Sequence, residues 1–271
     1  MSKRISPEQY TLAFLHMLDP NAKAFAFRVL PETEEAKRSV KASNHVGGIA
    51  KLRPVLAQKN SQSCGVFVTI NEGGQRADEI TRVRAVFADT DGAPLEPIKA
   101  TLQPHIIVET SPSRWHVYWL VADGFPLDQF SIVQTAIAKK FGTDLSVKDL
   151  PRIMRVPGFY HNKQEPYLCR LVELSRRLQR YSLEELVNGL GLNLNATARS
   201  ETASRLIAEQ GPQASFAEVK RALSYLNPFV PRDEWVRHIW ALAHEFGEAG
   251  RELAHQWSRG DLWIGEHDAN A

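Results

Sequence analysis

The chain has 271 residues, of which 43% are hydrophobic and 24% charged, with a formal net charge of +2. This is material for one large domain, or a medium one with an appendage, and it excludes a histone-like coat of positive charge. No run approaches the ~20 apolar residues of a membrane span, and no apolar segment follows the basic residues 1–4, so neither a membrane association nor a signal peptide is expected.

The first expected element is a helix opened by Ser6-Pro7-Glu8-Gln9, with Ser as cap and Pro in the first turn, carrying Tyr10, Phe14 and Leu18 at helical spacing. Residues 25–30 alternate as a strand should. Residues 31–44 are polar and read as a loop, Gly47-Gly48 as a turn, and 52–59 as a short helix. Strands follow at 65–70 and 82–89, the second running through Ala85-Val86-Phe87-Ala88 into Asp89-Thr90-Asp91-Gly92. Two more, 105–110 and 116–121, flank the hairpin-type turn Ser111-Pro112-Ser113-Arg114. An amphipathic helix spans 128–141, and 152–156 and 167–174 are strand-like. Strands arrive mostly without helices between them, which predicts an α+β fold with a largely antiparallel or mixed sheet.

Ser182-Leu183-Glu184-Glu185 starts a short helix, after which residues 191–204 read as a linker. The expected domains are therefore 1–190 and a small all-α bundle at 205–271. Its apolar stripes are Phe216/Val219/Leu223/Leu226, Trp235/Ile239/Leu242/Phe246 and Leu253/Trp257, suggesting three short helices. Charge is uneven. Residues 139–180 hold ten Lys/Arg against four acids, whereas 201–271 hold seven against eleven. Lys139, Lys140, Lys148, Arg176 and Arg177 are thus candidates for holding a nucleic-acid backbone. Cys64 and Cys169 sit in apolar runs and read as free thiols of a reducing cytoplasm.

Three clusters carry chemistry. Asp89 and Asp91 sit two apart at a strand end, where both carboxylates can reach one side and hold hard divalent cations. The apolar run into Asp-x-Asp-Gly is also how haloacid dehalogenase-type phosphatases begin, with Asp89 then a nucleophile. Ala93-Pro94 and the position of the motif deep in the chain count against that. The second cluster, Ser111 to Trp119, places Ser113, Arg114 and His116 around a turn suited to a triphosphate. The third runs from Asp144 through Asp149, Arg152 and Arg155 to Lys163. Buried arginines there require anions, supplied either by a nucleotide or by a structural network of Asp144 and Asp149.

In this order the clusters resemble the archaeo-eukaryotic primase superfamily, most closely the RepB-like primases of plasmids and phages. The tail, through Ala222-Leu223, Trp235, Ala241-Leu242-Ala243-His244 and Trp257-Ser258, resembles the helical domain that follows such primases. The resemblance implies an RRM-like catalytic core and a DNA primase or primase-polymerase, acting as a template-directed nucleotidyltransferase. It implies two Mg²⁺ or Mn²⁺ ions on Asp89, Asp91 and Asp144, with Asp149 a secondary candidate, since Asp144 precedes Arg152 and Arg155 by the superfamily's eight and eleven residues. It assigns the nucleotide to Ser113, His116, Arg152, Arg155 and Lys163. Single-stranded DNA, nucleoside triphosphates and a replicative helicase are the implied partners. A non-catalytic origin-binding initiator is the alternative from another class.

Overall fold

A computed structural model of the chain describes residues 5–195 and 215–264, and the chain divides into two compact units, Met1–Glu201 and Thr202–Ala271. In the first unit, α1 (Pro7–Leu18) opens with a full capping box between Ser6 and Gln9. It is followed by β1 (Phe25–Pro31), α2 (Glu34–Ser39), β2 (Ser43–Gly47), α3 (Ile49–Ser61) and β3 (Cys64–Thr69). The expected loop at 31–44 therefore holds a helix and the start of a strand. Thr33 caps α2, whose only buried residue is Ala36, so the segment carries no apolar period to betray it.

The short β4 (Glu72–Gly73) and β5 (Ile80–Arg82) form a ribbon, and β6 (Ala85–Asp89) is a separate strand. The expected strand 82–89 is interrupted because Arg84 turns inward. Its side chain is 4% exposed, pairs with Asp19 at 2.8 Å and lies over the Phe25 ring. Then come α4 (Leu95–Thr101), β7 (Ile106–Ser111), β8 (Arg114–Leu120), α5 (Leu127–Phe141), β9 (Ile153–Arg155), β10 (Tyr160–His161), β11 (Tyr167–Leu168), β12 (Arg170–Leu174) and α6 (Leu183–Gly189).

The strands build two four-stranded sheets in place of the one expected, ordered β2-β1-β3-β9 and β12-β7-β8-β6, each with antiparallel pairing throughout. One apolar core joins them, including Phe27, Val66 and Val68 of the first sheet and Phe87, Tyr118 and Trp119 of the second. At the edge of the second sheet, Gln134 of α5 does what a further strand would do. Its amide accepts from Phe87 N–H at 2.9 Å and donates to Phe87 O at 3.1 Å and to Val147 O at 2.9 Å. It thereby closes the β6 edge and ties the loop after α5 to it.

Of the expected linker, Leu192 is buried in this core and Leu194 packs on it, while 196–204 lie outside the described residues. The second unit contains α7 (Phe216–Leu223) and α8 (Arg232–Ser258), the latter interrupted at Gly247, whose φ is 57°. Leu223, Leu242, Leu253, Ala254 and Trp257 form its buried core, with Trp235 and Ile239 against it. Leu226, expected on the first stripe, lies beyond α7 and contributes its carbonyl to Trp257 Nε1–H at 3.0 Å.

Candidate active site

The Asp-x-Asp segment leaves the end of β6 beside the start of β8. Asp89 is directly opposite His116, and His116 is in turn opposite Val108 of β7. The imidazole is 6% exposed; its Nε2 lies 3.5 Å from Asp89 Oδ2, and its Nδ1 lies 3.3 Å from the hydroxyl of the fully buried Tyr118. With Tyr118 donating to Nδ1, Nε2 keeps the proton that faces Asp89. Burial raises the Asp89 pKa, but the His116 imidazole, the Asp91 backbone N–H and the Arg155 guanidinium outweigh it. The carboxyl is held below its ordinary value.

Asp91 follows in a turn with φ of 36°, its N–H donating to Asp89 Oδ1 at 3.3 Å. Its own carboxylate is exposed and pairs with Arg114 at 2.7 Å. Ser113 sits at the tip of the β7–β8 turn with φ of 61°, exposed. Asp144 joins the site through its backbone, whose N–H donates to Asp89 O at 3.1 Å, but its carboxylate accepts from Ser146 N and Oγ, both at 2.8 Å.

The arginines are committed in two ways. Arg152 pairs with Asp149 and donates to Ser146 O, so both residues fold their own loop rather than face Asp89. Arg155, from β9, is buried and paired with Glu32, with its guanidinium 4.7 Å from the centre of the Phe67 ring. Glu32 also accepts from Asn162 N–H at 2.7 Å, which binds the β10 hairpin, and Lys163 after it, to the same place. His161, next to them, donates from Nδ1 to Thr110 O, leaving Nε2 buried without a partner. Its pKa is lowered by burial and by the Arg155 charge. Glu32, Gln134, Tyr118 and His161 are residues to which the sequence reading assigned no role.

Two glycines mark close approaches, Gly65 within this cluster and Gly158 against α1. A Cβ at Gly65 would stand 2.7 Å from the Glu32 carboxyl and 2.8 Å from the Phe67 ring. At Gly158, where φ is 92°, it would stand 2.0 Å from Pro7 O.

The basic candidates do not gather on one side. Lys139 and Lys140 are exposed in the last turn of α5, where Lys140 Nζ donates to Gly191 O at 3.1 Å, and Lys148 is exposed in the loop that follows, four residues after Asp144. Arg176 and Arg177 follow Leu174, which pairs with Ile106 at the other end of the sheet, and so belong away from Asp89. As for a metal, the donor chemistry fits a hard divalent cation: three carboxylates around one strand end, one of them held ionised. Among the described residues no three His, Cys, Asp or Glu side chains come together as an ion would require, because Asp91 is on Arg114 and Asp144 on Ser146.

Residues 76–195 match the RepB DNA-primase N-terminal domain, and residues 219–263 match Primase C terminal 2, PriCT-2. Among solved structures, the AEP domain of the cyanophage S-2L primase-polymerase is similar with a TM-score of 0.57 at 18% identity, over 68% of this chain and 97% of that one. Primase RepB′ gives 0.56 at 20% identity, over 89% of this chain and 76% of that one. The catalytic domain of RepB′ in complex with initiator DNA gives 0.53 at 19%, over 73% and 97%. No curated protein matches the chain. The chain thus has the α+β fold of the archaeo-eukaryotic primases. The two family matches, a RepB-type primase domain and then PriCT-2, fall in the order that the sequence motifs implied.

Proposed function

We propose that the chain is a template-directed nucleotidyltransferase, a DNA primase or primase-polymerase that makes primers on single-stranded DNA for replication of a plasmid, phage or other mobile element. The observation that carries this reading is the Asp89 strand end. An ionised carboxylate stands there against His116, with Asp91 and the Asp144 backbone attached to it and Arg155 near enough to lower its pKa. The two family matches, in primase order, support it.

Asp89, Asp91 and Asp144 would hold Mg²⁺ or Mn²⁺, which supplies Lewis-acid neutralisation of the triphosphate and a more acidic attacking hydroxyl. The remaining work falls to the chain. His116 keeps Asp89 ionised and oriented, and Tyr118 fixes the ring from behind. Arg114, paired with the exposed Asp91 carboxylate, would exchange it for triphosphate oxygens, and Ser113 offers a hydroxyl at the same turn. Arg155 and Lys163 bring positive charge to the far side, where charge grows as pyrophosphate departs. Arg152 reaches nucleotide only if the Asp149 pair opens. The N-terminal 190 residues are taken as the catalytic domain, 191–204 as the linker and 205–271 as the helical domain that docks template or a replicative helicase. The exposed Lys139, Lys140 and Lys148 would hold backbone phosphates near the site.

The test is a gel assay with single-stranded template, labelled nucleoside triphosphates and Mg²⁺ or Mn²⁺. Template-dependent oligomers are expected. Phosphate release without oligomers would favour a phosphatase with Asp89 as nucleophile, and strand binding alone would favour a non-catalytic initiator.

A further inference from the structure

One face of the first sheet is open at its β2–β1 side, and its register lays a line of side chains across it from there to the buried Arg155. Arg28 of β1 is opposite Asn44 of β2 on one side and Phe67 of β3 on the other, and Phe67 is opposite Arg155 of β9. Directly paired residues point to the same side of a sheet, and strands are about 4.8 Å apart, so the row Asn44–Arg28–Phe67–Arg155 runs about 14 Å. At one end it enters the Glu32–Arg155 cluster; at the other it reaches solvent. Asn44 and Arg28 are exposed, Phe67 is half-buried, and Val46, two residues along β2 from Asn44, is 73% exposed.

Arg28, like Arg176 and Arg177, has no acidic partner among the described residues, unlike the arginines around the site. Arg82, Arg84, Arg114, Arg152, Arg155 and Arg170 all have acidic partners. Arg28 has neither an ion pair nor a side-chain hydrogen bond among the described residues. The strand also spends an outward position on a charge with nothing opposite it but an amide and an aromatic ring. A lone guanidinium, an amide, an aromatic edge already stacked by a second guanidinium, and an exposed valine are the groups that hold phosphates and bases of a single strand.

Resting on the primase reading, we propose that this open face carries the single-stranded template, with its backbone on Arg28 and Asn44 and its bases passing over Phe67 and Val46 toward Arg155. The strand thus approaches the site from the first sheet, and not from the side of Arg176 and Arg177. A protein partner would be served by the apolar part of this face but not by an unpaired cation continuous with the nucleotide cluster.

Binding of a fluorescent single-stranded oligodeoxynucleotide, measured by anisotropy across a salt series and without nucleotide, tests this. Arg28→Ala is expected to raise Kd about three- to tenfold and to make the slope of log K against log salt shallower by about 0.7, the value for one lost phosphate contact on a single strand. Arg28→Lys should recover most of the slope, and Asn44→Ala should weaken binding in the same direction. Thermal melts of these exposed-site variants should overlay the parent. Unchanged Kd and slope in Arg28→Ala would overturn the proposal, as would an equal loss in Arg176→Ala with none in Arg28→Ala. A strand-binding loss at Arg28 in a protein that makes no oligomers would sink the primase reading and leave the face assigned.

Discussion

Glu32 shows how much of a site of this kind hangs on a residue with no chemistry of its own to advertise. Its side chain is 3% exposed, and it faces a guanidinium that is 8% exposed, 123 positions later in the chain. Removing one member of such a pair strands a buried charge, so Glu32→Ala should destabilise the first unit by about 3–5 kcal/mol, read from urea unfolding. Glu32→Gln keeps the acceptor shape and should cost less. In that variant the apparent KM for nucleotide should rise more than kcat falls, because Arg155 is positioned and not itself replaced. Equal KM values in Glu32→Gln and parent would take Arg155 out of nucleotide binding. The residues singled out from the sequence, Asp89, Asp91, Ser113, His116, Asp144, Arg152 and Arg155, lie in short local motifs; Asp89, Asp91 and His116 meet at the end of β6, while the side chains of Asp144 and Arg152 turn to their own loop. Glu32 was not, because it stands in the polar run 31–44 and its partner is supplied only by the β3–β9 pairing. Arg152 and Asp149 were legible as charges, but which anion each arginine would choose depends on a loop conformation that spacing does not encode.

At the scale of elements, apolar period recovers whatever buries a face. The helices around 7–18 and 127–141 and the strands of the second sheet were legible for that reason. α2 was not, having one buried residue, and neither was the break before β6, where a buried arginine replaces an apolar side chain. The join between β7, β8 and the chain beyond β12 rests on another polar residue in the core. His105 is 0% exposed; its Nδ1 accepts from Leu120 N–H at 3.1 Å and its Nε2 donates to Gln179 O at 3.0 Å. Burial depresses its pKa from 6.5 to about 4. The folded state therefore holds the ring neutral while the unfolded chain takes up a proton below pH 6.5. Stability from this residue is fully present above pH 6.5, falls as pH drops from 6.5 to about 4, and levels off below. The loss is on the order of 2–3 kcal/mol. Urea midpoints measured from pH 7.5 to 4.5 should show it, and His105→Gln should flatten that window. A parent curve flat across it would contradict the assignment of a buried neutral imidazole.

For the whole molecule, two units with separate cores imply separable tasks. Composition led to an expected linker at 191–204, where Asn, Thr, Ser and Ala dominate; the packing of Leu192 and Leu194 was missed because the glycine and asparagines around these leucines read as loop. A protein lacking residues 205–271 should keep the near-UV signature of the first unit and extend a supplied primer, while de novo initiation falls. Equal loss of both activities would place an essential part of the catalytic site in the tail. The central claim is that the carboxylates at the end of β6 drive nucleotidyl transfer, and Asp91→Asn tests it most directly. Its side chain is exposed and, among the described residues, makes its ion pair with Arg114, so the fold has little reason to change. Measured as template-dependent incorporation under single-turnover conditions, the variant should lose about a hundredfold or more in rate with an unaltered thermal melt. Incorporation at the parental rate by a folded Asp91→Asn protein would contradict the account.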